Sequence, residues 1–338
     1  MGDRTKIEWT RSDDGSPGAT WNPVTGCTKV STGCDNCYAE KIANRFAGTK
    51  AYPNGFEVTS RPERLDQPLR WKRPRRIFVN SMADLFHDQV PDDYIARVFA
   101  VMALSDRHTF QVLTKRHGRM RALLRDGEFQ QLVYEAWGTL DTPKGQPTME
   151  DWPWPGWPLP NVWLGVSTEN QQWADIRIPA LLDTPAAVRF SSAEPLLGPI
   201  EMDSYLVDLP EDEDGAPYPG HLDWVIVGGE SGPGARPMHP DWARSLRDQC
   251  QAAGVPFLFK QRGEWTWNEP GEFRMPTKPY SDRIAVMHGA GMTAMTKSNP
   301  FNPFERGHPH WTTRIDRVGK KRAGRELDGR TWDQYPDV

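Results

Sequence analysis

The chain has 338 residues, 37% hydrophobic and 25% charged, with a net charge of −4. That length supports a sizeable core, in one large α/β unit or two domains, and the overall charge does not point to nucleic acid, although local charge still can. No apolar run approaches the roughly 18 residues a membrane span needs, and "MGDRTKIEWT" lacks the apolar stretch of a signal peptide, so a cytoplasmic protein with reduced thiols is expected.

The first informative stretch is "TGCTKVSTGCDNCYAEKIANRF", 25 to 46, which holds three of the four cysteines ahead of a helical pattern. Clustered thiols in a reducing compartment suggest a metal or redox site more than a disulfide. Short apolar runs then follow at 76–80, 109–114, 161–167, 187–192, 224–229 and 256–261. They are rich in β-branched and aromatic residues and largely without polar alternation, as suits parallel strands buried on both faces.

Helical patterns separate most of these runs. One opens at Pro91 and Asp92 and places Tyr94, Ile95, Val98, Phe99 and Met102 on one face. A second runs from Gln172 to Leu182, with Trp173, Ile176, Ala180 and Leu181. A third starts at Pro240, repeats Trp242, Leu246 and Cys250 at i+4 steps, and is followed by Gly254. The gap after "AVRFSS" shows no full helical pattern. With a first strand near the cysteine loop the count is six or seven, and the expected fold is α/β, a complete or partial (β/α) barrel.

Residues 1–270 are assigned to that barrel, with an insertion at about 126–160 that is Trp/Pro-rich at its end and suited to a lid. "EDEDG", 211 to 215, reads as an acidic surface loop. Residues 271–338 read as an irregular C-terminal extension packing on the barrel, through Trp332 and Tyr335 among others.

Chemistry in such barrels sits where strands end. The strand-end residues are Asn80, Ser81 and Asp84, then Lys115, then Ser167 and Glu169, then Ser192 and Glu194, then Glu230. Each alone is as well explained by a wet loop terminus. Acidic groups at equivalent points of successive units suit a polar cofactor or substrate.

Cys27, Cys34 and Cys37 form a C-x6-C-x2-C pattern with no fourth thiol nearby, because Cys250 falls on the apolar face of its helix. Structural zinc takes four ligands, and His87, His117 or His239 could supply the fourth. A [4Fe–4S] cluster held by three thiolates leaves one iron open to a small chelating cofactor such as S-adenosylmethionine.

Taken together, "ATWNPVTGCTKVSTGCDNCYAE", "NSMADLF", "VWLGVSTEN", "RFSSAEPLLGPI", "DWVIVGGESGPGARPM" and "GRELDGRTWDQYP" resemble the phage Gp37/Gp68 family, a branch similar to the radical SAM enzymes. The resemblance implies a radical SAM barrel with Cys27, Cys34 and Cys37 as ligands of a [4Fe–4S] cluster. It implies Asn80, Ser81 and Asp84 near the methionine moiety of S-adenosylmethionine and Ser167 and Glu169 near its ribose. Ser192, Glu194 and Glu230 would face cofactor or substrate, and Lys115 a carboxylate or phosphate. The wider superfamily's C-x3-C-x2-C spacing and the Gly-Gly-Glu after its second strand are absent here; Gly228-Gly229-Glu230 stands at the sixth strand instead.

Two basic stretches bear on the substrate: "RWKRPRR" at 70–76 and "RVGKKRAGR" at 317–325, each with five cations. Either is also explained as a solvated face. With the phage resemblance they point to DNA or a modified nucleotide, and to an isomerase or C–C rearrangement on an amino-acid-modified thymidine, fed by an external one-electron reductant. The alternatives are a radical SAM enzyme acting on tRNA, a peptide or a small molecule, and a non-catalytic zinc or nucleic-acid-binding protein.

Overall fold

The computed structural model describes residues 4–12, 14–140, 153–208, 220–267, 284–288, 291–295 and 311–337. Seven parallel strands form the main sheet: β1 (Ala19–Trp21), β2 (Arg76–Val79), β3 (Thr109–Thr114), β4 (Val162–Ser167), β5 (Val188–Ala193), β6 (Trp224–Gly228) and β7 (Phe257–Gln261). They stand side by side in chain order. A doubly wound sheet would reverse that order midway; this sheet curls in one direction as a partial (β/α) barrel.

The helices follow the strands: α1 (Tyr38–Arg45), α2 (Asp92–Ala103), α3 (His117–Arg125), α4 (Gly127–Thr139), α5 (Gln171–Leu182) and α6 (Pro240–Ala253). Gly254 ends α6 in the left-handed region, at φ 72°, where glycine carries no Cβ penalty. Between β5 and β6 the described residues hold only a single 3-10 turn, Asp203–Tyr205.

Strand parity sorts the apolar residues into two cores. Ile77, Val79, Phe110, Val112, Leu164, Val225, Val227, Phe257 and Phe259 pack outward against the helices. Phe78, Trp163, Val188, Phe190, Trp224, Ile226 and Leu258 point inward and enclose Trp9. Trp9 packs tilted against Phe78 with ring centroids 4.5 Å apart, and its carbonyl accepts a hydrogen bond from Gln111 at 3.0 Å. Gly165 makes room for this plug: a Cβ there would lie 2.4 Å from the Phe190 ring.

The C-terminal segment covers the free edge of β7. The Phe259 amide donates to the Trp332 carbonyl at 3.0 Å and Gln334 donates to Phe257 at 3.3 Å. Tyr335 then reaches across the barrel floor, donating to the Glu8 carbonyl at 2.8 Å and stacking beneath Arg76 at 4.4 Å. The segment carrying Trp332 and Tyr335 thus protects an edge that would otherwise offer unpaired backbone groups.

Three expectations change. The stretch read as a lid-like insertion begins with helix α4, whose Phe129, Val133 and Trp137 are buried against the outer core; residues 141–152 lie outside the described residues. The C-terminal extension is not irregular throughout: β8 (Trp265–Trp267), β9 (Ile284–His288), β10 (Gly291–Met295) and β11 (Trp311–Arg317) form an antiparallel sheet in the order β8-β11-β9-β10. On α5, Ile176 is exposed, and Ala174, Arg177, Ile178 and Leu181 form the buried face instead. The acidic "EDEDG" loop lies outside the described residues.

Candidate functional site

Above the Trp9 plug the inward positions turn polar. The same parity that points Phe78, Phe190 and Ile226 inward carries on to Asn80, Ser192 and Gly228. Over this mouth lies the cysteine loop. It leaves β1, makes a short antiparallel bridge with residues 59–60, passes a 3-10 turn at Thr32–Cys34 and enters α1 directly after Cys37. Gly26 allows the entry: at φ 83° a Cβ would sit 2.1 Å from the Glu57 carbonyl oxygen.

Two carboxylates stitch this loop down. Glu169, fully buried after β4, accepts from Ser31 Oγ at 2.8 Å and pairs with Arg177 at 2.8 Å and Lys115 at 3.4 Å. The chain passes so close that a Cβ on Gly33 would lie 2.2 Å from Glu169 Oε1. Arg177, also fully buried, donates to the Ser167 carbonyl at 2.7 Å and stacks on Trp173 at 4.0 Å. Burial lowers its proton affinity and Glu169 opposes that shift.

On the other side, Glu230 accepts from Asn36 at 3.0 Å and from the backbone and guanidinium of Arg236, the closest at 2.6 Å. Arg236 spans the gap, reaching the Thr32 carbonyl at 2.9 Å and Asp35 at 3.1 Å. Burial pushes the Glu230 carboxyl up, but its bonds from Arg236 and Asn36 outweigh this and hold it below its ordinary value.

The other strand-end residues are also engaged. Asn80 stands at φ 58°, accepts from the Val24 amide at 3.2 Å and leaves its buried Nδ2 without a partner. Ser81 donates to Asn22 at 3.2 Å, and its carbonyl accepts from Tyr38. Asp84 accepts from Thr114 at 2.7 Å, Phe86 at 3.1 Å and the Lys115 amide at 3.0 Å. Glu194 is bound by Lys260 at 2.7 Å and Gln261 at 2.8 Å. Ser167 and Ser192 are buried, and the Ser192 carbonyl accepts from the Thr168 amide at 2.9 Å. All the anticipated residues therefore gather at one mouth. Asp84, Glu169 and Glu230 spend their oxygens on the protein itself, and Arg236, Arg177, Ser31 and Asn36 emerge as partners that the strand-end reading did not include.

Cys27, Cys34 and Cys37 are free and half-buried. Burial, with Asp84 adding to it, pushes the Cys27 thiol up to about 11. Among the described residues no three His, Cys, Asp or Glu side chains close into a metal-holding group; the thiols share one loop without meeting at a point. Their chemistry still fits an iron–sulfur donor set: three thiols on one loop, with the intervening Asp35 carboxylate paired to Arg236. Cys250 is fully buried in the outer core. Of the candidate histidines, His87 contacts Thr28 at 2.9 Å, while His239 caps α6 and His117 begins α3.

The basic stretches part company. Residues 70–76 lead into β2, at the barrel end opposite the cysteine loop, and Arg76 is buried under Tyr335 and Trp163. Residues 317–325 lie on the mouth side: Arg317 donates to the Gly232 carbonyl at 2.9 Å, and the Gly319 amide to Glu264 at 3.0 Å.

Fold and site together define an α/β protein, a partial (β/α) barrel with a three-thiol loop tied over its strand-end mouth. The family model described as "Protein of unknown function (DUF5131)" matches residues 4–336, and the chain belongs to that family. No curated protein matches it. Among solved structures it is similar to a spore photoproduct lyase double mutant with bound AdoMet and dinucleoside spore photoproduct, at 10% identity over 87% of this chain and 73% of that one, with a TM-score of 0.38. A form of the same lyase holding only the dinucleoside scores 0.36 at the same identity and coverage. Among the described residues no helix is long and apolar enough to cross a membrane.

Proposed function

We propose that this protein is a radical SAM enzyme whose Cys27, Cys34 and Cys37 hold a [4Fe–4S] cluster, with S-adenosylmethionine bound in the mouth beneath the loop. The observation that carries the reading is the pairing of three free, half-buried thiols with a loop held over a polar barrel mouth. When bound, such a cluster supplies the electron that splits the cofactor's sulfonium into methionine and a 5′-deoxyadenosyl radical.

In this reading the chain's own residues do three things. Glu169 and Arg236 fix the ends of the Ser31–Asn36 segment. The Trp9 plug fills the barrel floor beneath the mouth with apolar side chains. Asn80, with a buried amide N–H free of protein partners, and the Glu194–Lys260 pair offer a donor and a charged pair to the cofactor's amine, carboxylate and hydroxyls. For the reaction itself we favour an isomerisation or C–C rearrangement on an amino-acid-modified thymidine in DNA, which rests on the family resemblance of the sequence.

A zinc site is the rival, favoured by His87, which reaches the residue next to Cys27. Anaerobic incubation with S-adenosylmethionine and dithionite separates the two: release of 5′-deoxyadenosine supports the enzyme, and tight zinc without turnover supports the rival. Mass analysis of nucleosides from DNA of cells expressing the protein tests the substrate.

A further inference from the structure

Helix α1 leaves the cysteine loop with an unusual outer face. Its inner side buries Ala39 and Ala43 against Tyr52 and Met82. Along its exposed edge Tyr38, Ile42 and Phe46 are 52%, 39% and 47% exposed, with the Tyr38 hydroxyl held by the Ser81 carbonyl so that its ring borders the mouth. The three recur every four residues, so they form a stripe with platforms about 6 Å apart. Single exposed apolar residues need no explanation, but an aligned set beside a site does.

The stripe is bordered by positive charge. Arg45 lies over the Phe46 ring at 5.7 Å. Lys41 points the other way and donates to the Pro233 carbonyl at 2.8 Å, tying α1 to the loop after β6. That same loop receives Arg317 through Gly232, and beyond Arg317 come the exposed Lys320, Lys321 and Arg322. Carboxylates along this line are already occupied: Glu40 by Lys29 at 3.3 Å and Asp35 by Arg236 at 3.1 Å.

We infer that α1 and the 320–322 turn form one continuous track for single-stranded nucleic acid along the rim of the mouth. Phe46 and Tyr38 offer ring faces for bases, Ile42 an apolar step between them, and the cations meet phosphates. The inference rests on the proposed nucleic-acid substrate and specifies how that substrate is held. It also separates the two basic stretches: the rim uses 317–325, and the 70–76 stretch lies at the far end of the barrel.

The test is fluorescence anisotropy of a labelled oligothymidylate with full-length protein over a range of salt, with iron content and far-ultraviolet circular dichroism recorded on the same preparations. Affinity is expected to fall steeply with salt. Phe46→Ala is expected to weaken binding about tenfold at constant salt slope. Replacing Lys320, Lys321 and Arg322 by Ala should reduce that slope by about 2. Oligonucleotide affinity that persists in iron-free protein supports the track even if the catalytic reading fails. Folded protein without oligonucleotide affinity, affinity indifferent to both sets of changes, or self-association through α1 in place of oligonucleotide binding would overturn it.

Discussion

Ser31 and Glu169 lie 138 residues apart in the chain and meet at 2.8 Å, with the carboxylate fully buried. This bond joins the thiol-bearing loop to the end of the fourth strand. It makes Glu169 a positioning residue for the loop.

Glu169→Gln should therefore act on the whole protein and not only on cofactor affinity. The change removes a buried charge and leaves Arg177 with less compensation, which costs about 3–5 kcal/mol. Urea denaturation monitored by tryptophan fluorescence should show the midpoint falling with little change in slope. Ser31→Ala should cost only about 1 kcal/mol, because Lys115 and Arg177 still hold the carboxylate.

Gly33→Ala addresses the same contact from the other side. Its Cβ would lie 2.2 Å from Glu169 Oε1, so loop or carboxylate must move. The expected result is a destabilisation of about 1–3 kcal/mol with faster alkylation of Cys34, read by peptide mass analysis. Protection equal to that of the unaltered chain would mean that the loop is not held by Glu169.

On the opposite side, Arg236→Ala should free Asn36 and Asp35 and leave Glu230 buried beside fewer donors. Because Glu230 has a depressed folded value, its contribution to stability is present at neutral pH and fades as pH falls through that value. The variant should lose part of this acid dependence, visible as a shallower fall in melting temperature below pH 5.

A separate pH effect belongs to His108. Burial pushes it down to about 4, and its Nε2 meets the Pro68 carbonyl at 3.1 Å. Below about pH 6.5 the unfolded chain takes up a proton that the folded one refuses, so stability should drop by about 2 kcal/mol between pH 6.5 and 5. His108→Gln should flatten that segment of the stability–pH curve; an unchanged slope would assign the loss to other groups.

The strands were readable in the sequence because both faces are buried, which leaves apolar runs between helical patterns. Cys250 and the Gly254 stop were readable from i+4 spacing and a single turn residue. Helix α4 was missed although Phe129, Val133 and Trp137 repeat every four residues; the Trp/Pro-rich segment after it drew the whole region into one loop. Nothing local to Asn36 or Thr32 announces Arg236, about 200 positions away. Such clamps arise only when the barrel brings the ends of β4 and β6 to one mouth. The strand-end residues lie at that mouth, but their polarity could not reveal which are spent on the protein's own loop.

The account rests on the three thiols acting as one ligand set, and metal analysis of anaerobically prepared protein tests that most directly. Unaltered protein should carry about four iron and four sulfide per chain, Cys34→Ala should carry almost none, and Cys250→Ala should match the unaltered protein. Zinc in place of iron, or a cluster that survives Cys34→Ala, would contradict it.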